Sequence, residues 1–589
     1  MRCGQLRLVT AKKRSSHPPN PAKKMWSFIN HHRKNGGCGA DNEVRCTADE
    51  FNNYFCSVAE NTVKSLPAAK VDPLRFVVHG PENPFCFSSI PPEDIAAIIL
   101  HLPNSNGCDY LGLSSRMIKH AYLAIVYPLT HLINQSITLC RFPSVLKVAE
   151  VIPLPKKACT SEIDGFRPIS KLPLFSKIFE KGLNHQLGTF LEVNNLFSDC
   201  QFGFRKSRST QDAMLRFSDF ISDCFLNGTY ASAVCVDVAK CFDCVPHKLL
   251  LSKLTKYNFS DDAIRLLGSF LADRFQAVRL KNTVSDACSL GELSVVQGSV
   301  LGPTLFLIFI NDLPQHTSNV SVLFADDSSV LCEDNSIESL VANSEKSVNE
   351  ITSWFNANRL TVNTDKTQTM YFGLRDLSSL GTNPRDLKML GIRVDPKLNW
   401  RAHCEQLTAS LSSVTFLLRR LRDCLSGDAV LRAYHAVFHS RMSYCLLCWG
   451  HSPSAALVFG CQRRAVRAVL RRGYRSDVKA DFTKIGVLTL PGQYILDCLV
   501  YIHANLDCSP QVRHAYGTRN AGSLVVQNCR LNVARNAQNW WGPKFFNVIP
   551  QEIQRKSRLP FKVACKSFLL KLAPYNFEEF LCAAQSWPT

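Results

Sequence analysis

Three aspartates stand where β-prone segments end, and their positions suggest metal-ion chemistry. Asp237 closes the apolar run ASAVCVDV at residues 231–238, and Asp326 and Asp327 lie within SVLFADDSSVL at residues 321–331. The second run predicts a hairpin with both carboxylates at its tip. A carboxylate beside an apolar strand is costly unless it is paired, and a divalent cation relieves the repulsion between neighbouring carboxylates. Three carboxylates on two strand ends could hold two Mg²⁺ ions, which also take waters and phosphate oxygens.

The Asp326-Asp327 pair has a simpler interpretation when it is taken alone. Adjacent aspartates are common in surface turns, so FADD by itself favours an ordinary turn over catalysis. The metal hypothesis therefore depends on whether other segments supply groups that bind nucleotides.

Several other segments carry such groups. VQGSVLGP at residues 296–303 is a Gly-rich turn opening an apolar helix, which suits close approach of a ligand and phosphate at the helix N-terminus. IPLPKK at 152–157 and GFRPIS at 165–170 place cations on extended segments. QFGFRKSRST at 201–210 interleaves aromatic residues with Arg and Lys, as in surfaces that stack on bases and bind phosphates. LTVNTDKT carries Lys366 in a polar turn, and each segment singly is equally well a solvated loop.

Helices and short strands must position these groups. Amphipathic helices alternate with β-rich runs from about residue 92 to 395, which predicts a mixed α/β or α+β domain. A helix is also predicted around residues 48–59. Farther on, apolar residues recur at steps of three and four and predict a striped helix in the region where Lys and Arg are concentrated. The stripe comprises Leu407, Leu411, Val414, Leu418, Leu421 and Leu425.

The composition narrows the class of partner. The chain holds 68 Lys+Arg against 48 Asp+Glu, a formal charge of +20, which favours nucleic acid or an anionic membrane surface. No run of about 18 apolar residues and no signal-peptide core is present, so we expect a protein of the nucleus and cytoplasm without membrane contact. Its 25 scattered cysteines indicate reduced thiols. Cys445 and Cys448, with His451 and Cys461 downstream, superficially suggest zinc, but their apolar setting favours core packing.

The ordered series of blocks resembles the reverse transcriptases of non-LTR retrotransposons, the LINE-type elements of the jockey and chicken-repeat groups. The resemblance covers about residues 25–575 and includes Trp449-Gly450, residues 462–465, residues 518–520 and residues 541–550. Val296 stands where the family usually has Pro, and Cys241 where it has Ala or Ser. The matching blocks are IPLPKK, FRPIS, QFGFRKSRST, DVAKCFD, QGSVLGP, FADD, LTVNTDKT and LKMLGIRVDPKLNW.

The resemblance implies an α+β right-hand polymerase in four regions. A basic N-terminal extension would occupy residues 1–88, fingers and palm residues 89–395, a helical thumb-like region residues 396–480, and a C-terminal extension residues 481–589. An endonuclease normally precedes the polymerase in these elements, and we expect this chain to be a truncated copy or fragment without one.

The resemblance also implies roles for individual residues. Asp237, Asp326, Asp327 and the carbonyl of Val238 would hold two Mg²⁺ ions, for which Mn²⁺ could substitute. Lys366 would donate a proton to the leaving pyrophosphate. Nucleotide contacts would come from Arg167 at the triphosphate, Phe242 beneath the sugar, where it excludes a 2′-hydroxyl, and Gln297 and Gly298. Asp243 resembles a family-typical acid without an assigned role.

The expected function is that of an RNA-directed DNA polymerase that copies element RNA into cDNA. Its partners would be an RNA template, a DNA primer and dNTPs, with protein partners unspecified. The alternative is a catalytically idle, truncated remnant that only binds RNA. A group II intron maturase or a telomerase would share the palm aspartates, but the setting of FADD and the C-terminal blocks speak against both.

Overall fold

The computed structural model describes residues 46–67, 71–156, 160–375, 377, 383–506, 523–526, 531, 538–585 and 587. Residues 1–45 of the predicted basic N-terminal extension and the block at residues 518–520 lie outside these ranges. Within the described ranges, no helix combines the length and the apolar character needed to cross a membrane.

A five-stranded sheet forms the first layer, with helices beside it. Its strand order is β2-β1-β5-β6, and β7 pairs with β5. Strands β1 and β5 run parallel, whereas β1 and β2 are antiparallel. The strands are β1 (Val148–Pro155), β2 (Phe166–Lys171), β5 (Arg274–Leu280), β6 (Thr283–Val284) and β7 (Cys288–Leu290). The helices of the N-terminal part are α1 (Ala48–Lys64), α2 (Pro92–Leu100), α3 (Ser115–His120), α4 (Tyr122–Thr138) and α5 (Leu174–Val193), with short 3₁₀ turns at Ser144–Leu146 and Ile163–Gly165.

A four-stranded antiparallel sheet, in the order β11-β3-β9-β8, carries the candidate site. Its central strands are apolar at successive positions because both faces are buried. Ala233 and Leu331 face the core that includes helix α6, while Val234 and Val330 face the core that includes helix α11. The strands are β3 (Tyr230–Val236), β8 (Val320–Phe324), β9 (Asp327–Asp334) and β11 (Gln368–Phe372), and two small ladders join β4 (Val238–Ala239) to β10 (Thr361–Val362) and β12 (Leu387–Met389) to β13 (Ile392–Val394). The helices here are α6 (Thr210–Asn227), α7 (His247–Lys256), α8 (Asp261–Leu271), α9 (Leu301–Ile310), α10 (Leu313–His316) and α11 (Ile337–Ala357).

The remaining described residues are helical. Helix α12 packs on α16, and α18 packs on α19 and α21. Helices on both sides of residue 480 contribute to one hydrophobic core, which also includes residues of α6 and the four-stranded sheet. The helices are α12 (Arg401–Cys424), α13 (Gly427–Ala433), α14 (Ser440–Met442), α15 (Leu446–Trp449), α16 (Ala455–Val469), α17 (Lys479–Lys484), α18 (Leu490–Ala504), α19 (Gln538–Asn547), α20 (Gln551–Gln554), α21 (Arg558–Leu572) and α22 (Phe577–Ala584), with a π-helical segment at Tyr434–His439.

The predicted helical stripe is confirmed with one adjustment. Leu411, Val414, Leu418 and Leu421 are buried along α12 and Leu407 is partly buried, but Leu425 follows the end of the helix. The core-packing interpretation of the cysteines is also confirmed, since Cys445, Cys448 and Cys461 are all buried in the same core.

Candidate active site

The predicted hairpin is present at residues 320–334. Phe324 pairs with Asp327, so Ala325 and Asp326 form a two-residue turn between β8 and β9. Ala325 has φ +57°, a left-handed conformation that costs a residue with a Cβ about 1–2 kcal/mol. A turn of this kind persists only where its surroundings hold it. It places Asp326 and Asp327 side by side at the end of the four-stranded sheet where β8 and β9 join. This end of the sheet is called the carboxylate edge below.

The QFGF segment holds this turn. Gln201 is 1% exposed, and its Oε1 accepts hydrogen bonds from the backbone N–H of Ala325 at 3.0 Å and of Gly203 at 2.8 Å. Phe202 N–H donates to the Leu323 carbonyl at 2.8 Å, so the segment runs beside β8. A Cβ on Gly203 would stand 2.3 Å from the Ala325 nitrogen, which explains the glycine. Sequence reasoning missed this supporting role.

The two arginines of the same block are bound to protein carboxylates. Arg205 makes a bidentate ion pair with Glu192 through its Nε at 3.0 Å and its second terminal nitrogen at 2.7 Å. Arg208 pairs with Asp199 at 3.0 Å. Phe204 keeps an exposed ring. The arginines of this block thus contribute to local structure, a role that their interleaving with aromatics did not indicate.

The third aspartate reaches the same edge through strand register. Val236 pairs with Ser328, and Asp237 follows β3 directly opposite the start of β9. The short ladder between β4 and β10 brings Lys366 to this edge, and its Nζ donates to Asp237 Oδ2 at 3.1 Å. Val238 lies at the base of the site in that ladder and is buried. Asp237, Asp327 and Lys366, which are distant in sequence, therefore lie at the same end of the sheet.

The carboxylates repel each other at this edge. The pKa of Asp327 is raised to about 6, first by partial loss of contact with water and then by the charges of Asp326 and Asp237, while Arg167 opposes the rise. Asp326 Oδ2 accepts a weak hydrogen bond from the Cys241 thiol at 3.4 Å. Like charges at this spacing, with carboxylate oxygens as donors, suit a hard divalent cation.

The side chains are not arranged around a common metal position in this conformation. Across the described residues, His, Cys, Asp and Glu side chains form no group of three or more that could already hold an ion. Asp237 is turned toward Lys366 and Asp326 toward Cys241. Shared binding of an ion would require these two carboxylates to turn a free oxygen toward a common position.

The glycine-rich turn lies against β2. Gly298 has φ +111°, and a Cβ there would stand 2.4 Å from the Ser170 carbonyl oxygen, so only glycine fits. Ser170 N–H donates to the Gln297 carbonyl at 2.9 Å. The Gln297 side chain donates through Nε2 to Asp243 Oδ1 at 2.9 Å, and burial raises the pKa of Asp243 to about 6. Asp243, which had no assigned role, thus orients Gln297.

The prediction that a phosphate binds at the N-terminus of the helix after this turn is wrong. Glu180 is fully buried, and its Oε2 accepts hydrogen bonds from the N–H groups of Val300 at 2.6 Å and Leu301 at 3.2 Å. A protein carboxylate therefore occupies the N-terminus of α9, where a phosphate was expected. Burial raises the pKa of Glu180, and these N–H groups oppose the rise. Sequence reasoning missed this cap as well.

An aromatic side chain and a group of cations complete the site. Phe242 is half-buried and stacks on Phe306 with ring centroids 4.4 Å apart. Arg167 is exposed on β2 and close enough to Asp327 to influence its titration. The pKa of Lys156 is lowered, first by burial and then by the charge of Lys240, with smaller contributions from other cations. Cations on several elements thus converge on the carboxylate edge, and Lys240 is one that sequence reasoning missed.

One known protein family matches the central part of the chain. Residues 154–394 match the family model described as reverse transcriptase (RNA-dependent DNA polymerase). That span contains every candidate site residue named in the sequence analysis.

Curated relatives extend the match. The probable RNA-directed DNA polymerase from transposon BS of Drosophila melanogaster is 27% identical over 468 residues, covering 72% of this chain and 50% of the relative. The RNA-directed DNA polymerase from the mobile element jockey of the same species is 27% identical over 393 residues, covering 63% and 43%. The chain thus spans about half the length of these relatives. An apo telomerase from Candida tropicalis, truncated from its C-terminal domain, aligns with 43% of this chain and 54% of its own at 13% identity and a TM-score of 0.31.

Proposed function

We propose that this chain copies element RNA into cDNA, because residues 154–394 match the reverse transcriptase family and the chain is similar to the RNA-directed DNA polymerases of transposon BS and of the mobile element jockey. Its α+β architecture is that of a right-hand polymerase, as expected from the sequence. The substrates we propose are an RNA template, a DNA primer and dNTPs, and the proposed locations are nucleus and cytoplasm.

One observation carries the proposal. The register between β3 and β9 brings Asp237 to the same sheet edge as Asp326 and Asp327, although the two segments are far apart in sequence. A surface turn would need neither the third carboxylate nor Lys366, which lies 3.1 Å from it. The grouping suits nucleotidyl transfer, in which positioning and charge compensation provide most of the catalysis.

Reverse transcriptases use divalent metal ions, and we propose two Mg²⁺ ions here, with Mn²⁺ as a substitute. Asp237, Asp326, Asp327 and the Val238 carbonyl would hold them. When bound, such ions lower the pKa of the primer hydroxyl and neutralise phosphate charge.

The chain's own residues would bind and orient the nucleotide. Arg167 and Lys156 would pair with the triphosphate, since both are cations near the carboxylate edge. Phe242, held by stacking on Phe306, would block a 2′-hydroxyl. Gln297, oriented by Asp243, would contact the nucleotide beside Gly298. Lys366 Nζ would transfer a proton to the leaving pyrophosphate.

The helical region at residues 396–480 would bind the primer–template. Arg419 and Arg420 are exposed on α12, away from its buried stripe. Phosphate binding by such cations releases counterions, so we expect the affinity for an RNA–DNA duplex to fall steeply between low and high salt. A flat salt dependence would contradict this assignment.

Primer extension on an RNA template with dNTPs and Mg²⁺ tests the proposal. We expect extension by the wild-type chain and a loss of at least about 1000-fold in Asp326→Ala, on the scale of losing a principal charge-stabilising group. Asp334→Ala is the matched control, because Asp334 ends the same strand at the opposite end from Asp327. Folded protein that binds RNA but makes no product would overturn the proposal and favour the idle remnant.

A further inference from the structure

Helix α1 (Ala48–Lys64) precedes the residues matched by the family model, yet it packs against the five-stranded sheet. It begins with a reciprocal capping box between Thr47 and Glu50, which fixes its first turn. Phe51 is fully buried, with its ring 5.1 Å from that of Phe166 on β2 in an edge-to-face contact. The sequence analysis assigned this segment to an N-terminal extension, but here it packs directly against the strands beside the active site.

A buried amide fixes the rotation of the helix. Asn52 is 2% exposed, and its Nδ2 donates to the Asp286 carbonyl at 2.8 Å. Its Oδ1 accepts from Gln276 Nε2 on β5 at 3.1 Å. Because β5 and the segment between β6 and β7 satisfy both the donor and the acceptor of this amide, α1 has one rotational setting, and the following residues face in defined directions.

That setting brings Tyr54 to Lys240. Lys240 Nζ donates to the Tyr54 hydroxyl at 2.9 Å and lies 4.8 Å from the centroid of the ring. Lys240 stands between Asp237 and Phe242 in the turn that follows β4. The contact thus joins the N-terminal helix to the segment carrying one proposed metal ligand and the proposed sugar-contacting ring.

The backbone of Lys240 shows why this contact matters. Its φ is +50°, the left-handed region, and its carbonyl accepts the Asp243 N–H at 2.9 Å to close the turn. A residue with a Cβ is unfavourable in this conformation by about 1–2 kcal/mol unless its surroundings maintain it. Tyr54 contributes to that maintenance by fixing the far end of the side chain. Phe242, two residues later, depends on the same turn for its position.

We propose that Tyr54 is a positioning residue for the nucleotide site, acting through Lys240 on the turn that presents Phe242. This inference rests on the proposed polymerase function. Helix α1 is then a working part of the active site, and its contact contributes to discrimination between deoxyribonucleotides and ribonucleotides.

The test compares variants of the full chain. Tyr54→Leu removes both hydroxyl and ring, and Tyr54→Phe removes the hydroxyl alone. Asn53→Ala, at an exposed position on the same helix, is the matched control. For Tyr54→Leu we expect a KM for dNTP about tenfold higher, in keeping with the loss of a charge-assisted hydrogen bond, with kcat changed less and with weaker selection against ribonucleotides. Tyr54→Phe should show a smaller shift, and Asn53→Ala none.

Lys240→Gly separates positioning from direct binding. Glycine adopts the left-handed conformation freely, so in its presence Tyr54→Leu should have no further effect on KM or on ribonucleotide selection. If Lys240 instead binds phosphate and Tyr54 merely stabilises the fold, the two effects are independent. The fold-change in KM of the double variant will then equal the product of the fold-changes of the two single variants, and this result overturns the inference.

Hydrogen exchange tests the positioning role of Tyr54 without relying on polymerase activity. Amides of residues 240–244 should exchange faster in Tyr54→Leu than in the wild type, whereas Asn53→Ala should leave them unchanged. Faster exchange in a chain that makes no cDNA would retain the positioning role while the proposed function fails. Unchanged exchange and unchanged KM in an active chain would overturn the positioning role alone.

Discussion

One buried carboxylate and the three carboxylates of the proposed active site have opposite surroundings in this molecule. On the inner side of the four-stranded sheet, Asp312 is 1% exposed and both of its oxygens are bonded. Oδ1 accepts from Lys253 Nζ at 2.6 Å, and Oδ2 accepts from Trp354 Nε1 at 3.0 Å. Lys253 also donates to the Phe309 carbonyl at 2.7 Å. The buried pair therefore leaves little unsatisfied.

At the hairpin edge three carboxylates share one lysine and one thiol. Asp237 faces Lys366, Asp326 faces Cys241, and Asp327 carries a pKa raised to about 6 by partial dehydration and by its two acidic neighbours. The buried aspartate is stabilised by donors from the fold, whereas the edge aspartates keep acceptor capacity that the fold leaves open. Under the proposed function, the buried aspartate serves stability and the edge aspartates bind a ligand.

The largest effect is expected when the buried ion pair between Lys253 and Asp312 is broken. Asp312→Ala leaves Lys253 buried without its partner, and we expect the free energy of unfolding to fall by about 3–5 kcal/mol. Asp326→Asn removes one of three repelling charges, so it should not lower stability while it abolishes polymerisation. Chemical denaturation of both variants measures this contrast. Equal destabilisation by the two would remove the distinction between the groups.

A double variant checks the cause of that loss. Lys253→Met with Asp312→Leu removes both charges and keeps apolar volume, so much of the lost stability should return. If the double variant unfolds as readily as Asp312→Ala, the hydrogen bonds lost by Trp354 Nε1 and the Phe309 carbonyl, and not an unpaired charge, explain the effect.

A smaller effect is expected where the fold supports the edge. Gln201→Leu deprives the buried N–H groups of Ala325 and Gly203 of their acceptor, which should cost about 1–3 kcal/mol. Because Ala325 adjoins Asp326, kcat should fall more than stability alone explains, and Gln201→Glu, which keeps an acceptor, should retain more activity. Primer extension and thermal unfolding measured together check this. A loss of stability with unchanged kcat would make Gln201 a purely structural residue.

Sequence patterns predicted the candidate site residues better than the residues that hold them in place. The apolar β-prone runs on both sides of Asp326 and Asp327 predicted their hairpin, and local residue types predicted the Gly298 turn and the helix after it. Gln201 and Glu180 escaped notice because each bonds backbone more than a hundred residues away, at separations of 124 and 120 positions. Such single side-chain contacts leave no periodic trace in a sequence. The roles assigned to Asp237, Lys366 and Phe242 stay predictions until variants are assayed.

Asp497 is intermediate between the two carboxylate groups, and its effect should be the smallest. On α18 it accepts one hydrogen bond, from Gln493 Nε2 at 2.8 Å, and burial raises its pKa from 3.8 to about 7. Between those two values the folded state holds a proton that the unfolded state has lost, so this group lowers stability progressively as pH rises from about 4 to 7.

Asp497→Asn cannot ionise, so it should be more stable than the wild type above pH 7, and the difference should vanish near pH 4. We expect about 1 kcal/mol, because the side chain is only half-buried and water screens part of the charge. Thermal unfolding of both proteins from pH 4 to 9 measures it, with Asp428→Asn as an exposed control on α13. A difference that stays constant over this range would place Asp497 with the donor-satisfied carboxylates, since its charge would then carry no penalty.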